Sequence, residues 1–480
     1  MKTVIHWFRR DLRISDNTAL SAAAREQARV IPVYVLSDWR GAHRWTGPTR
    51  QQFLCGCLSA LAGNLEAIGG RLIIRRGDAV GELEKLAAET GAEAVYYNRD
   101  PDPHGRLVEE DLAKACERRG LRVHSFKDVC IHEGSEILNG SGQPFRVFTP
   151  YSKAWTKVPR PAMSPRPRDL GTPTGIASLP LPALPDWGLD HASPGLLEAG
   201  EKSARRRFKI FLSGGLTGYA AGRDLPGGQR TSRISQDLRF GLLSIREVFD
   251  EVESATAGLP AAGRGSAEKF FSELVWREFY MQILRHFPNV LEEEFNPVFR
   301  GMRWPGNPEH FQRWKDGATG FPIVDAAMRE LHQTGFMHNR ARMIAAMFLT
   351  KDLHLDWRLG EQHFMQQLTD GEIASNNGGW QWSAGTGADA APYFRIQNPW
   401  TQTRRYDPDG VYVKTWIPEL RDVAPEKFFD PPADGLSLAK NYPSPLVDHA
   451  RSRDVTLDLF AAQKAKNPSG GKPEGFSWLS

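Results

Sequence analysis

Long hydrophobic runs and cysteines are scarce in this sequence of 480 residues. No apolar stretch reaches the roughly 18 residues that a membrane-spanning helix needs, so none is predicted. The first residues, MKTVIHWFRRDLR, lack the apolar core and small-residue cleavage site of a signal peptide, which predicts a cytoplasmic protein. The four cysteines show no Cys-x-x-Cys spacing, which predicts reduced thiols and neither a metal site nor disulfides: Cys55, Cys57, Cys116 and Cys130.

Phosphate-binding loops are also missing. Neither G-x-G-x-x-G after the first strand nor G-x-x-x-x-G-K-[ST] occurs. Five runs rich in Val, Ile and Tyr nevertheless predict strands at Thr3–Phe8, Val30–Leu36, Leu72–Arg75, Ala94–Tyr97 and Val123–Phe126. Helical periodicity separates most of them, as in Gln51–Ile68 and Val80–Glu89. This alternation predicts a doubly wound parallel α/β domain over residues 1–130.

The rest of the chain divides at a proline-rich connector. Nine prolines lie from Pro159 to Pro194, which excludes regular helix there and predicts a linker over residues 131–198. Helical patterns then predict an all-α domain over residues 199–480, with helices at Ile245–Glu253, Ala267–His286, Ile323–Thr334, His338–Leu353 and Gly360–Leu368. After about Ala433 the Pro-, Ser- and Lys-rich composition predicts a short coil and a loose tail.

The segment from Asp370 to Pro399 reads DGEIASNNGGWQWSAGTGADAAPYFRIQNP. Its glycines permit unusual backbone conformations and close approaches, and Asn376 and Asn377 offer both donors and acceptors. The mixture predicts a loop wrapped around a planar polar ligand. The alternative is a Gly-rich surface loop, and the residues alone favour neither.

This segment resembles the flavin-binding core of the DNA photolyase and cryptochrome family. The match extends from IHWFRRDLRISDN to PELRDV near residue 420, and it is closest to class I cyclobutane pyrimidine dimer photolyases. The resemblance implies an α/β antenna domain followed by an all-α FAD-binding domain. It also implies a monomeric, cytosolic bacterial enzyme that repairs dimers in damaged double- or single-stranded DNA. Excited, reduced FAD would donate an electron to the flipped-out lesion.

The TSRIS segment predicts a cofactor contact. Its hydroxyls precede a helix-compatible run, so they suit either an anion cradle or a simple helix cap. The resemblance implies FAD binding by Tyr219, Thr231, Ser232, Arg233, Ile234, Ser235, Asn339, Arg342, Asp370, Gly371, Glu372 and Asn376. Asn376 would face flavin N5, where an amide supplies no carboxylic proton and so favours the fully reduced anionic flavin.

Two helical faces carry the residues that the resemblance assigns to the lesion side, except Arg342, which it assigns to the flavin. Glu273, Trp276 and Tyr280 share one face, and Asn339, Arg342 and Met343 share another, although core packing is the alternative. Asn339 is expected within a helix, where Asn is a poor helix former. The resemblance implies DNA contacts by Arg223, Glu273, Trp276, Tyr280, Asn339, Arg340, Met343 and Trp382. The single His338, in place of the histidines found in relatives specific for the other major photoproduct, favours the dimer.

Positive charge is concentrated in one stretch. Ten basic residues lie from Lys202 to Arg246, against Asp224 and Asp237. Such a run predicts either a solvated helix face or phosphate binding.

Trp380, Trp357 and Trp304 match the family's electron-transfer tryptophans, although a lone tryptophan is more often packing. The resemblance implies catalytic roles for these three and for Glu273, Asn339 and Asn376. A deazaflavin-type antenna is favoured over folate, because the chain reads PHGR around His104 and LEEE around Glu292. His43 either lines such a pocket or is a loop residue.

Two other functions are consistent with a flavin. A cryptochrome, a blue-light receptor, would explain the flavin and the tryptophans equally well. Asn376, the lesion-contact set and a tail of under sixty residues after PELRDV favour repair. A flavin enzyme of dark electron transfer is disfavoured, because the chain has no nicotinamide-binding fingerprint.

Overall fold

The computed structural model describes residues 2–467 except 27, 42, 191–192 and 229. Its N-terminal part is a parallel sheet in the order β3-β2-β1-β4-β5. The strands are β1 (Thr3–Phe8), β2 (Arg29–Leu36), β3 (Ile73–Arg76), β4 (Ala94–Asn98) and β5 (Arg122–Phe126), and the helices between them are α1 (Thr18–Arg25), α2 (Pro48–Glu66), α3 (Ala79–Thr90) and α4 (Pro103–Arg118). The central strand β1 is buried along its whole length, as expected for a sheet covered on both faces. The predicted doubly wound domain is confirmed, with each strand end within one residue of its predicted place.

The proline-rich connector has little regular structure. A short helix, α5 (Phe148–Trp155), precedes it. From residue 156 to residue 200 the described residues form only one 3-10 turn, Leu184–Trp187. The prolines explain this, since each lacks an N–H and fixes φ. The boundaries of the three predicted parts stay predictions.

From residue 201 to residue 467 the described residues are mainly helical, which confirms the predicted all-α part of the fold. Its helices are α6 (Glu201–Ile210), α7 (Tyr219–Gly222), α8 (Ser235–Arg239), α9 (Ile245–Thr256), α10 (Ala261–His286), α11 (Pro308–Lys315), α12 (Pro322–Thr334), α13 (Asn339–Met347), α14 (Trp357–Gln367), α15 (Ile373–Ala384), α16 (Pro399–Tyr406), α17 (Val411–Trp416) and α18 (His449–Lys466). A π-helical turn, Phe348–Asp352, follows α13, so the predicted single helix His338–Leu353 is two elements. Among the described residues no helix is long and apolar enough to cross a membrane.

The predicted ligand-wrapping loop at residue 370 is wrong, because much of it is the helix α15. The glycines serve close helix packing instead. A Cβ on Gly378 would overlap the ring of Tyr280 on α10, and a Cβ on Gly360 of α14 would overlap the indole of Trp380. Gly385 ends the helix in a left-handed conformation at φ 82°. Glycine weakens an isolated helix, but here it allows the helices to approach each other closely.

The predicted loose tail is also wrong up to residue 467, since α18 lies there. Asp448 caps this helix by accepting a hydrogen bond from Arg451 N. Phe460 is buried against Phe299, and His449 Nδ1 lies 2.6 Å from Asp352 Oδ1 on the π-helical turn. The final residues, 468–480, lie outside the described residues.

The basic stretch from Lys202 to Arg246 is not a single solvated face, so that alternative is wrong. Arg246 is buried, with Nε 2.9 Å from Asp16 and Nη2 2.6 Å from Asp128 of the α/β part. Arg13 also binds Asp128, at 2.7 Å. Acidic partners also contact Arg205, Arg206, Arg207 and Arg223. Much of the positive charge therefore holds the fold together.

The four cysteines are free, and three of them are buried: Cys57, Cys116 and Cys130. Burial raises the pKa of each of the four thiols, with the pKa of Cys55 and of Cys116 rising to about 11. They are therefore protonated at neutral pH, as packing residues rather than nucleophiles.

We predict that Arg246→Ala lowers the free energy of unfolding by about 3 to 5 kcal/mol, because it leaves the carboxylates of Asp16 and Asp128 buried without one of their partners. Arg206→Ala is the matched control, since its ion pair with Glu198 is exposed on both sides and its loss should have a much smaller effect. Urea unfolding of both variants measures the difference. Equal losses would contradict the importance of burial.

Candidate active site

The site is built where α15 packs between α10 and α13, with α7 beside α10. This packing brings together residues more than one hundred positions apart in sequence. The predicted residues on the three helices are Glu273, Trp276 and Tyr280 on α10, Asn339, Arg340, Arg342 and Met343 on α13, and Asn376, Trp380 and Trp382 on α15. The three predicted motifs therefore form one site, while the role of each residue stays a prediction.

Arg342 and Asp370 form an ion pair on the predicted cofactor side. Arg342 Nη2 lies 2.8 Å from Asp370 Oδ2 and 3.1 Å from Oδ1. Arg342 Nε donates to the carbonyl of Met337 at 2.7 Å, which fixes the guanidinium in place. An arginine held in this way offers fixed positive charge to an anionic ligand.

Glu372 lies directly before α15 and binds two arginines. Its carboxylate contacts Arg10 of the α/β part and accepts from Arg277 Nε at 2.8 Å. Burial works to raise the pKa of Glu372, but Arg277, Arg10 and Arg239 outweigh it and lower the pKa to about 2. The preceding Gly371 carbonyl accepts a hydrogen bond from Arg239 Nε at 3.1 Å. Sequence reasoning missed these arginines, because their partners are distant in the chain.

Asn376 and Asn377 are both anchored by α14. Asn376 Nδ2 donates to the carbonyl of Glu361 at 3.0 Å, and Asn377 Nδ2 donates to Glu361 Oε1 at 2.9 Å. Burial raises the pKa of Glu361 to about 7. The bond to the Glu361 carbonyl orients the Asn376 amide and leaves its Oδ1 to accept from another donor. Glu361 was missed, although an acid on a mostly buried helix face is a signal that could have identified it.

The TSRIS segment leads into α8, which is a single short turn. Arg233 adopts a left-handed conformation at φ 53°, and its guanidinium lies 3.7 Å from the centre of the Phe336 ring. Its Nε is buried without a hydrogen-bond partner among the described residues. Thr231 and Ser232 are partly exposed, Ser235 is exposed and Ile234 is buried. A buried, unpaired donor beside free hydroxyls suits a bound anion, so these residues fit a diphosphate.

Tyr219 is the first residue of α7. It is buried, with its ring edge-on to Phe211 and Phe270 at 5.8 and 5.4 Å. Burial raises the pKa of Tyr219 to about 12, so its hydroxyl is neutral and remains a hydrogen-bond donor.

The predicted lesion side is lined by partly exposed aromatic and acidic residues. Trp276 stacks on Phe148 at 3.7 Å with an interplanar angle of 7°, and Phe148 was not predicted from sequence. Glu273 accepts from Arg223 Nη1 at 2.6 Å. Trp276, Glu273, Tyr280, Met343 and Trp382 all keep some exposed surface. A wall of this kind suits a planar ligand that carries polar edges.

Asp224 lies between the two arginines predicted to bind phosphates. Arg340 Nη2 lies 2.7 Å from Asp224 Oδ1, and Arg223 Nε lies 3.9 Å from the same oxygen. Arg340 also lies over the ring of Tyr406, at 4.5 Å. The sequence showed Asp224 only as an interruption of the basic stretch. In the folded protein it neutralises part of the surface that is predicted to face DNA.

Asn339 is the first residue of α13, so its expected place in the middle of a helix is wrong. His338 caps this helix, with Nδ1 accepting from Arg340 N at 3.1 Å. Burial lowers the pKa of His338 to about 4, which keeps the imidazole neutral and able to accept. Asn339 is exposed, and at a helix start its side chain costs little. Its amide is therefore available to a ligand.

The three predicted electron-transfer tryptophans belong to one hydrophobic cluster. Trp380 and Trp357 are almost fully buried, and Trp304 is partly exposed. Trp357 Nε1 donates to Glu294 at 3.2 Å, while Nε1 of Trp380 and of Trp304 has no partner among the described residues. Two of the three tryptophans therefore lie in the core, and Trp304 reaches the surface. Trp314, edge-on to Trp380 at 6.1 Å, was not predicted.

His43 lies in the region predicted for an antenna. Its ring packs on Trp39 at 4.8 Å, and Trp39 lies 6.3 Å from Trp187. Partial burial and, to a smaller extent, Arg50 lower the pKa of His43. Glu292 forms an exposed ion pair with Arg44 at 3.0 Å, and His104 is exposed. Planar rings are thus present there, with no feature that selects one chromophore.

Two family models match the chain. The DNA photolyase model matches residues 4–168, and the FAD binding domain of DNA photolyase matches residues 270–462. A deoxyribodipyrimidine photo-lyase of Agrobacterium fabrum is 40% identical over 96% of this chain and 98% of its own length.

Solved structures agree with these matches. A class III photolyase from Agrobacterium tumefaciens has a TM-score of 0.90 and 38% identity, covering 97% of this chain and 98% of that chain. A cryptochrome of Synechocystis has a TM-score of 0.85 and 28% identity, covering 96% and 99%. Since the first of these is a class III protein, the predicted assignment to class I stays a prediction. The chain belongs to the DNA photolyase family.

Proposed function

We propose that the protein is a light-dependent lyase that repairs cyclobutane pyrimidine dimers in double- or single-stranded DNA. The observation that carries this proposal is the packing of α15 between α10 and α13, which unites the cofactor-side and lesion-side residues. The relative from Agrobacterium fabrum, named a deoxyribodipyrimidine photo-lyase, supports it. The enzyme would act as a monomer in the bacterial cytosol, where its substrate lies.

FAD is the cofactor that the site residues fit. When bound and reduced, it supplies light absorption and electron donation. The TSRIS segment and Tyr219 would hold the diphosphate, and the ion pair of Arg342 with Asp370 would contact the ring system. Asn376 accepts a hydrogen bond at Oδ1, because its Nδ2 is already bound to the Glu361 carbonyl. An amide at this position holds the ring N–H without donating an acidic proton, which favours the anionic reduced state.

The lesion enters between α10, α13 and α15. Trp276 and Trp382 provide planar apolar surface, and the flexible side chain of Met343 provides an adaptable apolar surface. Glu273 and Asn339 provide polar contacts for the base edges. Flipping two damaged bases costs a few kcal/mol, least where damage has already weakened pairing. Glu273 is held in place by Arg223 before the lesion arrives, so its carboxylate is oriented in advance.

Phosphates of the DNA backbone are bound by Arg223 and Arg340. In the free protein both guanidiniums lie against Asp224, so phosphate binding exchanges one anionic partner for another. The exchange keeps the arginines ordered and lowers their net contribution to affinity. The contact carries no sequence information, as a repair enzyme that acts at any dimer requires.

Trp380, Trp357 and Trp304 form a path by which electrons from a reductant in solution would reach oxidised flavin. Their shared cluster, with Trp380 and Trp357 in the core and Trp304 partly exposed, supports this assignment. For the antenna we propose a deazaflavin-type chromophore in the α/β part, in the region of His43. The absorption spectrum of the purified protein distinguishes it from folate.

Repair by this protein is predicted to depend on light. Reduced protein should remove cyclobutane dimers from irradiated DNA under blue or near-ultraviolet light and leave them intact in the dark, as measured by chromatography of digested DNA. Repair of the other major photoproduct instead would show that the substrate is wrong. If the protein repaired neither photoproduct, the cryptochrome function would be favoured. The likeness to the Synechocystis cryptochrome structure makes this function the alternative.

Trp304→Phe should strongly slow photoreduction of oxidised flavin and leave repair by pre-reduced enzyme unchanged, because the tryptophans supply electrons to the flavin and not to the lesion. Absorption under continuous light follows the first rate. Trp400→Phe is the matched control, since Trp400 is a buried tryptophan of the same cluster that packs on Phe321. Slowing by both variants alike would attribute the effect to lost packing.

Arg340→Ala should weaken binding to damaged and undamaged DNA alike and reduce the magnitude of the salt slope by about 0.9, the value for one phosphate contact. Asp224→Asn should strengthen binding to damaged and to undamaged DNA, since it removes the carboxylate that competes with phosphate for Arg340. Arg223→Ala is less specific, because Arg223 also holds Glu273. If Arg340→Ala weakened binding only to damaged DNA with an intact slope, Arg340 would belong to the lesion pocket.

A further inference from the structure

The sheet order places β1 between β2 and β4, so the strand connections change direction between β1 and β4. Open α/β sheets bind ligands in the crevice outside the carboxyl ends of the strands at such a point. Here the side chain of Arg10, the second residue after β1, lies at that crevice. Its Nη1 lies 3.0 Å from Asp100 and 3.2 Å from Asp102, both of which follow β4.

The third acidic partner of Arg10 comes from the helical part. Glu372 contacts Arg10 through Oε1, and its Oε2 accepts from Arg277 Nε at 2.8 Å. The side chains of Arg10, Glu372 and Arg277 are only 7%, 6% and 11% exposed. Charges buried to this extent are stable only in a fixed, mutually paired geometry. The carboxylate of Glu372 is therefore held from both parts of the molecule.

Glu372 is also the residue from which α15 starts. Its backbone carbonyl accepts from Asn376 N at 2.8 Å, so Asn376 is exactly one hydrogen-bonded turn away. A displacement of Glu372 would move this first turn. The Asn376 amide would then leave the Glu361 carbonyl that orients it.

We propose that Arg10 is a positioning residue for Asn376, acting through Glu372, so that the α/β part sets the contact between Asn376 and the flavin. The proposal rests on the proposed function in one respect, namely that Asn376 faces the flavin ring. It gives the α/β part a role in the electron-transfer chemistry besides that of holding an antenna.

Arg10→Gln in the full-length holoprotein tests the proposal by two measurements. Amide hydrogen exchange at Asn376, followed in peptides that cover 370–380, should accelerate about tenfold or more, because a hydrogen bond to a charged group contributes at least that factor to local stability. The midpoint potential of bound flavin should also shift. Arg10→Lys, which keeps the charge, should restore part of both effects.

Arg246→Gln is the matched control. It removes another buried arginine that joins the two parts of the molecule, but its partners are Asp16 and Asp128, whereas the Glu372 carboxylate contacts Arg10 and Arg277. It should lower stability without changing exchange at Asn376 or the flavin potential. If it changes both as much as Arg10→Gln does, the effect is a general loosening between the two parts, and the proposal is wrong.

Glu372→Asp provides a second route if Arg10→Gln does not fold. The shorter acid should lose its contact with Arg10. The double variant, Arg10→Gln with Glu372→Asp, should then change hydrogen exchange and flavin potential no more than either single variant does. Additive effects of the two substitutions would contradict the proposal. Asn376→Ala separates the two proposals. If it leaves the flavin potential unchanged, the assigned role of Asn376 fails. Unchanged hydrogen exchange at Asn376 in both Arg10→Gln and Glu372→Asp would overturn the positioning role of Arg10.

Discussion

The close approach of α15 to its neighbours is the constraint on which the site depends. Gly378 gives the Tyr280 ring room to lie against α15, and Gly360 gives room to Trp380. With a side chain at either position the helices would separate, and the residues predicted for the cofactor side and the lesion side would no longer share one site. Close packing transmits such changes because a protein interior has little free volume.

Buried ion pairs set the second constraint. The α/β and helical parts meet through Arg246 with Asp16 and Asp128, and through Arg10 with Glu372. A buried charge without its partner is strongly destabilising, so each pair admits essentially one arrangement of the two parts. Arginine suits this task because its guanidinium stays charged and binds several oxygens in fixed directions. Part of the positive charge that the sequence suggests for DNA is thus used inside the protein.

The strands could be predicted to within one residue because a parallel strand covered on both faces is a short, continuous apolar run, as Thr3–Phe8 is. The helix α15 could not, because glycines and asparagines argue against a helix locally. What favours the helix is the fit of Gly378 against Tyr280, almost one hundred residues away. For α18 the composition was misleading, since Pro and Ser outside Asp448–Lys466 concealed a helix that buries Phe460. The motif residues were found through resemblance, whereas their partners Asp224, Glu361 and Arg10 required the folded chain.

Glu361 shows how such a partner affects the chemistry. Its carboxyl contacts Asn377, its carbonyl orients Asn376, and burial raises its pKa to about 7. A fully ionised carboxylate at the position of Glu361 would repel an anionic flavin. An acid at the protein surface would be fully ionised at neutral pH. Burial therefore does two things at once: it fixes the hydrogen bonds that hold both amides, and it limits negative charge beside the cofactor site at neutral pH. The two other acids nearby, Asp370 and Glu372, are accommodated in the opposite way, since each is paired with arginine, which compensates its negative charge.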